Sequence, residues 1–440
     1  MSRPENTSVK IQRPSNLLKG GAYSILIQGQ AIPVQLVIAI VLARLLGPRD
    51  YGTYSFAYAA ISFIQVMPLT GLDSLVVRFG AKYLAEDAED KFRGLLSTTR
   101  NWTLAFAVIT SLIVILGAHI PDAESLTAFA PAVLQSGVLL LLLLPLNTYF
   151  TAAIKSFDPG VIGQIPAAVI RPWSFLFLTL AAERLVAHGI DAIDAILLQG
   201  IAALLAVIYG GLALRRLRPK QHCSERNVSE RQEWSKAILP FALVGGLMLI
   251  NQQADLVMIG LLSGAVQVGV YKVSTSAANL VALPLTAANI FLAQRVSALH
   301  STNAIAKLRE ILKKSVKLTF AVAAISASVL IFFGKYILSA AFGMRYVGAY
   351  FPMVILAIAQ LTSVAFGSVV IALTMTGRQA LAVRSSAVAA VSNIILCAAL
   401  IPRLGAIGAA LSAACSLVLW NTLMFLFARR EIGINTTLFG

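Results

Sequence analysis

Residues 34–62 read VQLVIAIVLARLLGPRDYGTYSFAYAAIS. An apolar run stops at Leu46, Gly47 and Pro48 interrupt it, and a second apolar run begins within a few residues. The first run starts near Gly20, which is too long for a signal-peptide core, and no small-residue cleavage site follows it. It therefore reads as a retained membrane helix turning sharply into a second one.

The rest of the chain repeats this pattern. Of 440 residues, 58% are hydrophobic and 12% charged, where a soluble domain carries about 25% charged residues. Apolar segments fall near 20–45, 51–72, 101–120, 126–153, 161–182, 192–214, 237–262, 268–293, 316–336, 351–374, 379–401 and 405–428. Each is long enough to cross a hydrocarbon layer of about 30 Å. The expected fold is all-α: a polytopic membrane protein of about 12 transmembrane helices.

The formal net charge of +16 follows from topology rather than nucleic-acid binding. With twelve crossings, 27 of the 35 Lys and Arg residues fall on the side of the termini and 6 on the other, leaving Arg171 and Lys272 inside segments. By the positive-inside rule both termini are expected in the cytoplasm of an inner-membrane protein. The longest cytoplasmic stretches, 73–100 and 215–236, read as charged connectors without room for a core. Residues 301–317 (STNAIAKLREILKKSVK) read as an amphipathic surface helix with its lysines among headgroups.

Shifting the chain by 217 residues superposes Gly47, Gly52 and Tyr54 on Gly264, Gly269 and Tyr271, Gln35 on Gln252, and Arg78 on Arg295. This predicts an internal repeat. With six crossings in each half the repeats are parallel, related by an axis along the membrane normal, with a central cavity between them. The expected division is a cytoplasmic N-terminal segment at 1–19, a six-helix bundle at 20–214, a cytoplasmic linker at 215–236, a second six-helix bundle at 237–428 and a cytoplasmic tail at 429–440.

Polar residues inside the segments mark the candidate site. Lys272, Thr275, Ser276, Asn279 and Thr286 share one helical face, as do Tyr51, Tyr54, Ser55, Tyr58, Ser62 and Gln65. Polar atoms facing lipid are costly, so these stripes face the bundle interior, either lining a hydrated lumen or bonding helix to helix. Arg171 lies about ten residues into the fifth segment, near the bilayer centre, where it needs water, an acid or an anionic ligand. Asp255 and Lys272 are nearly equidistant from the turn at Gly264. One reading makes them an ion pair. The other makes Lys272 a phosphate contact and Asp255 a site for a coupling ion, with Asn251 one turn away completing it. The candidate substrate-binding set is thus Arg171, Lys272, Ser55, Tyr58, Thr275 and Asn279, and the candidate ion-coupling pair is Asp255 and Asn251.

No catalytic, metal or cofactor site is expected. The four histidines (His119, His188, His222, His300) are scattered, the three cysteines (Cys223, Cys397, Cys415) lack metal spacing, and no phosphate-cradling loop of an ATP-driven pump occurs. The short outer loops also argue against a membrane glycosyltransferase or polymerase.

Residues 42–54 (LARLLGPRDYGTY) resemble the opening signature of the polysaccharide-transport family, the Wzx-type flippases of the multidrug/oligosaccharidyl-lipid/polysaccharide exporter superfamily. Further similarity lies in 71–78 (GLDSLVVR), 254–260 (ADLVMIG), 268–271 (VGVY) and 405–410 (GAIGAA). The resemblance implies flipping of a polyprenyl-diphosphate-linked oligosaccharide, an O-antigen, exopolysaccharide or capsule repeat unit, by alternating access. The partners it implies are that glycan, membrane lipids, a coupling Na+ or H+, and polysaccharide polymerase machinery. The alternative within the superfamily is a multidrug/cation antiporter, although two buried basic groups and one acid suit an anionic substrate better.

Overall fold

The computed structural model describes residues 14–86, 88–117, 131–157, 162–185, 189–217, 231–301 and 305–432. Most of the expected N-terminal segment and tail, much of the linker with His222 and Cys223, and residues His119 and His188 lie outside them, as does the side chain of His300. Among the described residues every regular element is helical. The helices are α1 (Pro14–Ile64), α2 (Val66–Ala85), α3 (Glu89–Gly117), α4 (Pro131–Ser136), α5 (Val138–Phe157), α6 (Arg171–Leu185), α7 (Ala192–Leu217), α8 (Arg231–Ser263), α9 (Ala265–Ser301), α10 (Ile305–Ala341), α11 (Tyr350–Phe366), α12 (Val369–Met375), α13 (Gln379–Leu404) and α14 (Ala406–Ile432).

Ten helical stretches among the described residues are long and apolar enough to cross a membrane. Large apolar side chains such as Phe177, Leu318, Phe332 and Phe333 stand exposed on their outer faces, as a lipid solvent allows. The chain is a multi-pass membrane protein. The difference from twelve expected segments has two sources. The first two segments are two helices that meet at non-helical Gly47 and run on as the single stretch α1. The fifth is split into a 3-10 turn (Ile162–Gln164), a π turn (Pro166–Ile170) and α6, whose 15 residues fall short of a crossing.

The division at Gly47 has a local cause. The residue before a proline is pushed out of the α region, and Pro48 is suited to the first position of the helix that follows. Gly47 adopts φ 73°, which its missing Cβ permits. Gly264, its counterpart 217 residues on, turns α8 into α9 at φ 81°. Just beyond these turns α1 and α9 touch backbone to backbone. A Cβ on Gly52 would lie 1.8 Å from the Ala265 carbonyl oxygen, and one on Gly269 would lie 2.2 Å from that of Pro48. Adding 217 to Pro48 and Gly52 gives Ala265 and Gly269, so the two contacts are images of each other.

Two elements tie α1 to α10 at this end. Arg44 donates from Nε to the Ala341 carbonyl at 2.6 Å and from Nη2 to the Ala340 carbonyl. These belong to the last carbonyls of α10, which have no partner within the helix, and they carry its negative dipole end. Arg44 is therefore a helix cap. Tyr346, beyond that helix end, returns a hydrogen bond to the Ala43 carbonyl at 3.1 Å.

The expectation that 73–100 and 215–236 are connectors without a core is corrected at the opposite end. Leu75, Val76, Tyr83, Phe92, Leu95, Leu96 and Trp234 form a buried cluster. The Trp234 indole donates to the Tyr83 hydroxyl at 3.0 Å. Charged residues lower the mean hydropathy of these stretches, yet the apolar ones keep helical spacing and extend α2, α3 and α8 inward. Residues 305–317 are likewise not a separate surface helix but the amphipathic opening of α10, with Leu308, Leu312 and Val316 buried while Lys307, Lys313, Lys314 and Lys317 are exposed.

Candidate functional site

Asp255 lies on α8 with donors gathered around its carboxylate. The Tyr271 hydroxyl donates to Oδ2 at 2.8 Å, the Asn393 amide to Oδ1 at 2.5 Å, and the Cys397 thiol approaches Oδ1 at 3.7 Å. The three come from α9 and α13. Among the described residues Asp255 has no ion pair, so the reading that pairs it with Lys272 is not the arrangement found. Tyr271, not Lys272, faces the carboxylate, because one residue along a helix turns a side chain by about 100°. Asn251 donates to the Ser386 carbonyl at 3.2 Å and to its Oγ at 2.8 Å. It thus lies on the same α8–α13 seam as Asp255, bound to Ser386 rather than completing the carboxylate's shell.

Lys272 is half-buried on α9 and forms no ion pair among the described residues. Thr275 and Ser276 turn their hydroxyls back to the Lys272 carbonyl at 2.9 and 2.8 Å, the local satisfaction open to short polar side chains in helices. Asn279, one turn further, is exposed and accepts a 3.4 Å hydrogen bond from Gln360 of α11.

On the α1 side the polar stripe is largely packed. Tyr51, Tyr54 and Ser55 are buried, and Tyr58 is half-buried. The rings of Tyr51, Tyr54 and Tyr58 stack along the helix at 6.5 and 6.3 Å between centroids. Phe175 of α6 stacks on Tyr54 at 6.1 Å. Ser276 of α9 comes near the Tyr51 hydroxyl across the helix interface, while the buried Ser55 hydroxyl has no hydrogen-bond partner among the described residues. Arg171 stands one turn before Phe175 and lies close enough to Tyr54 to act on its hydroxyl electrostatically. A row of rings therefore runs from the polar face of α9, where Lys272 sits, to Arg171 on α6. Ser55 belongs inside this packing, and its exposure of 3% leaves little surface for a ligand.

Arg171 opens α6 directly after the π turn Pro166–Ile170. It is half-buried and has no ion pair among the described residues. π turns are rare and recur at functional positions. Sequence reasoning missed the partners of Asp255: Asn393 and Cys397, four residues apart inside an apolar segment, were the available signal. It also missed Gln30, whose side chain bridges Ala168 and Trp173 on either side of Arg171.

With this geometry in place, comparison with known proteins is informative. Residues 17–297, more than half of the chain, match the family described as polysaccharide biosynthesis protein. The chain is 21% identical over 263 residues to an uncharacterized membrane protein, MJ1068, of Methanocaldococcus jannaschii; the match covers 56% of this chain and 49% of that protein, about half its length. Among solved structures, the fold is similar to an inward-facing multidrug resistance MATE family transporter of the MOP superfamily, with a TM-score of 0.73 at 12% identity, covering 94% of this chain and 98% of that one. It is also similar to the lipid II flippase MurJ in an inward closed conformation, with a TM-score of 0.71 at 12% identity, covering 94% and 87%.

Proposed function

The chain belongs to the polysaccharide biosynthesis protein family, and on that premise we propose that it flips a polyprenyl-diphosphate-linked oligosaccharide across the inner membrane. Two six-helix halves, related by the 217-residue offset, alternate access to a cavity between them. Both termini lie in the cytoplasm, as the 27-to-6 distribution of basic residues favours. The observation that carries the reading is the pair Arg171 and Lys272. Lys272 lies in a stretch long and apolar enough to cross a membrane, Arg171 opens the shorter apolar helix α6, and both are half-buried and without an ion pair among the described residues. An unpaired cation at that depth is costly, whereas a diphosphate leaving water needs cations as partners. Each group removes the other's cost. Tyr58, Thr275, Asn279 and Ser55 complete the proposed substrate-binding set.

Asp255 supplies the coupling site. A carboxylate held by three neutral donors has its geometry fixed but its charge uncompensated, which leaves a place for H+ or Na+. The competing multidrug/cation antiporter would call for acids where Arg171 and Lys272 stand.

The test is glycan export in a strain lacking the chain and complemented with variants of equal membrane level. The Arg171→Gln, Lys272→Gln double variant should export at most a few per cent of normal, and Arg171→Lys should be milder than Arg171→Gln. Near-normal export by the double variant would remove the cations from the substrate path.

A further inference from the structure

We propose that Gln30 is a positioning residue for Arg171, holding the π turn that presents the guanidinium. The inference rests on the reading of Arg171 as a substrate contact, and its geometry begins at Pro172. In a regular helix the carbonyl of Ala168 would receive the N–H of residue 172, and proline has none. The chain widens into a π turn over Pro166–Ile170, closed by the Arg171 N–H on the Pro166 carbonyl. The Gln30 side chain, arriving from α1, donates from Nε2 to the Ala168 carbonyl at 3.1 Å. It thereby stands in for the donor that Pro172 lacks.

The same amide works at its other end. Its Oε1 accepts from the Trp173 indole Nε1 at 2.7 Å. An amide that donates on one side and accepts on the other can be oriented in one way only. Gln30 therefore grips residues 168 and 173, three before and two after Arg171, and fixes the turn between them to α1. Tyr54, within electrostatic reach of Arg171, follows on the far side of the Gly47 kink in α1. Losing the Gln30 amide frees the turn to move relative to the first part of α1.

The experiment measures binding of undecaprenyl diphosphate, the carrier without its glycan, to the full chain in nanodiscs, with melting temperature recorded for each variant. Gln30→Leu should weaken binding by about tenfold, the order expected when the hydrogen bonds at both ends of the amide are lost, without a matching drop in melting temperature. Pro172→Ala in the Gln30→Leu background returns a backbone N–H to the Ala168 carbonyl and should recover most of the affinity. Trp173→Phe, which removes only the accepted bond, should weaken binding by about two- to threefold, and it decides the matter should Gln30→Leu not fold. Wild-type affinity in Gln30→Leu, or in Trp173→Phe where it stands in, beside weakened binding in Arg171→Gln would overturn the positioning role and leave the function standing. So would failure of Pro172→Ala to restore affinity. Wild-type affinity in Arg171→Gln would instead overturn the substrate reading, and this inference with it.

Discussion

A carboxylate taken out of water must find a proton, a cation or a full set of donors, and Asp255 has donors from Tyr271, Asn393 and Cys397 but no cation among the described residues. If this is the coupling site, Asp255→Asn should reach the membrane at normal levels and lose the response of transport to an imposed H+ or Na+ gradient. Since Lys272 does not face Asp255, a compensating Lys272→Gln should not restore that response. Rescue by the double change would make the two groups a pair and remove the coupling role. The presence of one acid and two bases within apolar segments was legible in the sequence, because charges stand out there. Which groups meet was not. Tyr271 and Lys272 are adjacent in sequence, and only the helical azimuth, set by packing of α9 on α8, decides which one meets the carboxylate.

At the scale of elements the turn glycines carry the most checkable claim. Gly52 and Gly269 let α1 and α9 approach until backbone meets backbone. A methyl on Gly52 would overlap the Ala265 carbonyl, and no side-chain rotation can relieve a clash with backbone. Gly52→Ala should cost about 1–3 kcal/mol by overpacking, read as a lower melting temperature, while Gly348→Ala, with open space around it, should not. An unchanged melting temperature in Gly52→Ala would mean that the two helices do not meet this closely. The glycines were legible as a repeat and as turns because backbone conformation leaves a residue-type trace. The extension of α2, α3 and α8 into a cluster around Trp234 left a weaker one, since Lys82, Lys91 and Arg93 mask an apolar spacing that only periodicity reveals. The bond of Arg44 to the α10 terminus joins residues 297 apart in sequence, a distance no local pattern spans.

For the whole molecule, the all-helical fold followed from composition and segment length, while the number of crossings depends on how α1 and the α6 region are divided. Reporter fusions after Gly440 and at a position within 218–230 should both signal cytoplasm. A periplasmic signal at either point would invert or break the topology and detach the basic-residue count from its explanation. As proposed, the chain moves a diphosphate-linked glycan lipid between leaflets. The most direct measurement is reconstitution of the purified chain into proteoliposomes with a fluorescent polyprenyl-diphosphate oligosaccharide, following its appearance in the opposite leaflet. The account predicts transfer that depends on the chain, accelerates under an imposed ion gradient and falls to the protein-free rate in the Arg171→Gln, Lys272→Gln variant. Transfer no faster than in protein-free liposomes with and without a gradient, from a chain shown to be folded, would contradict it.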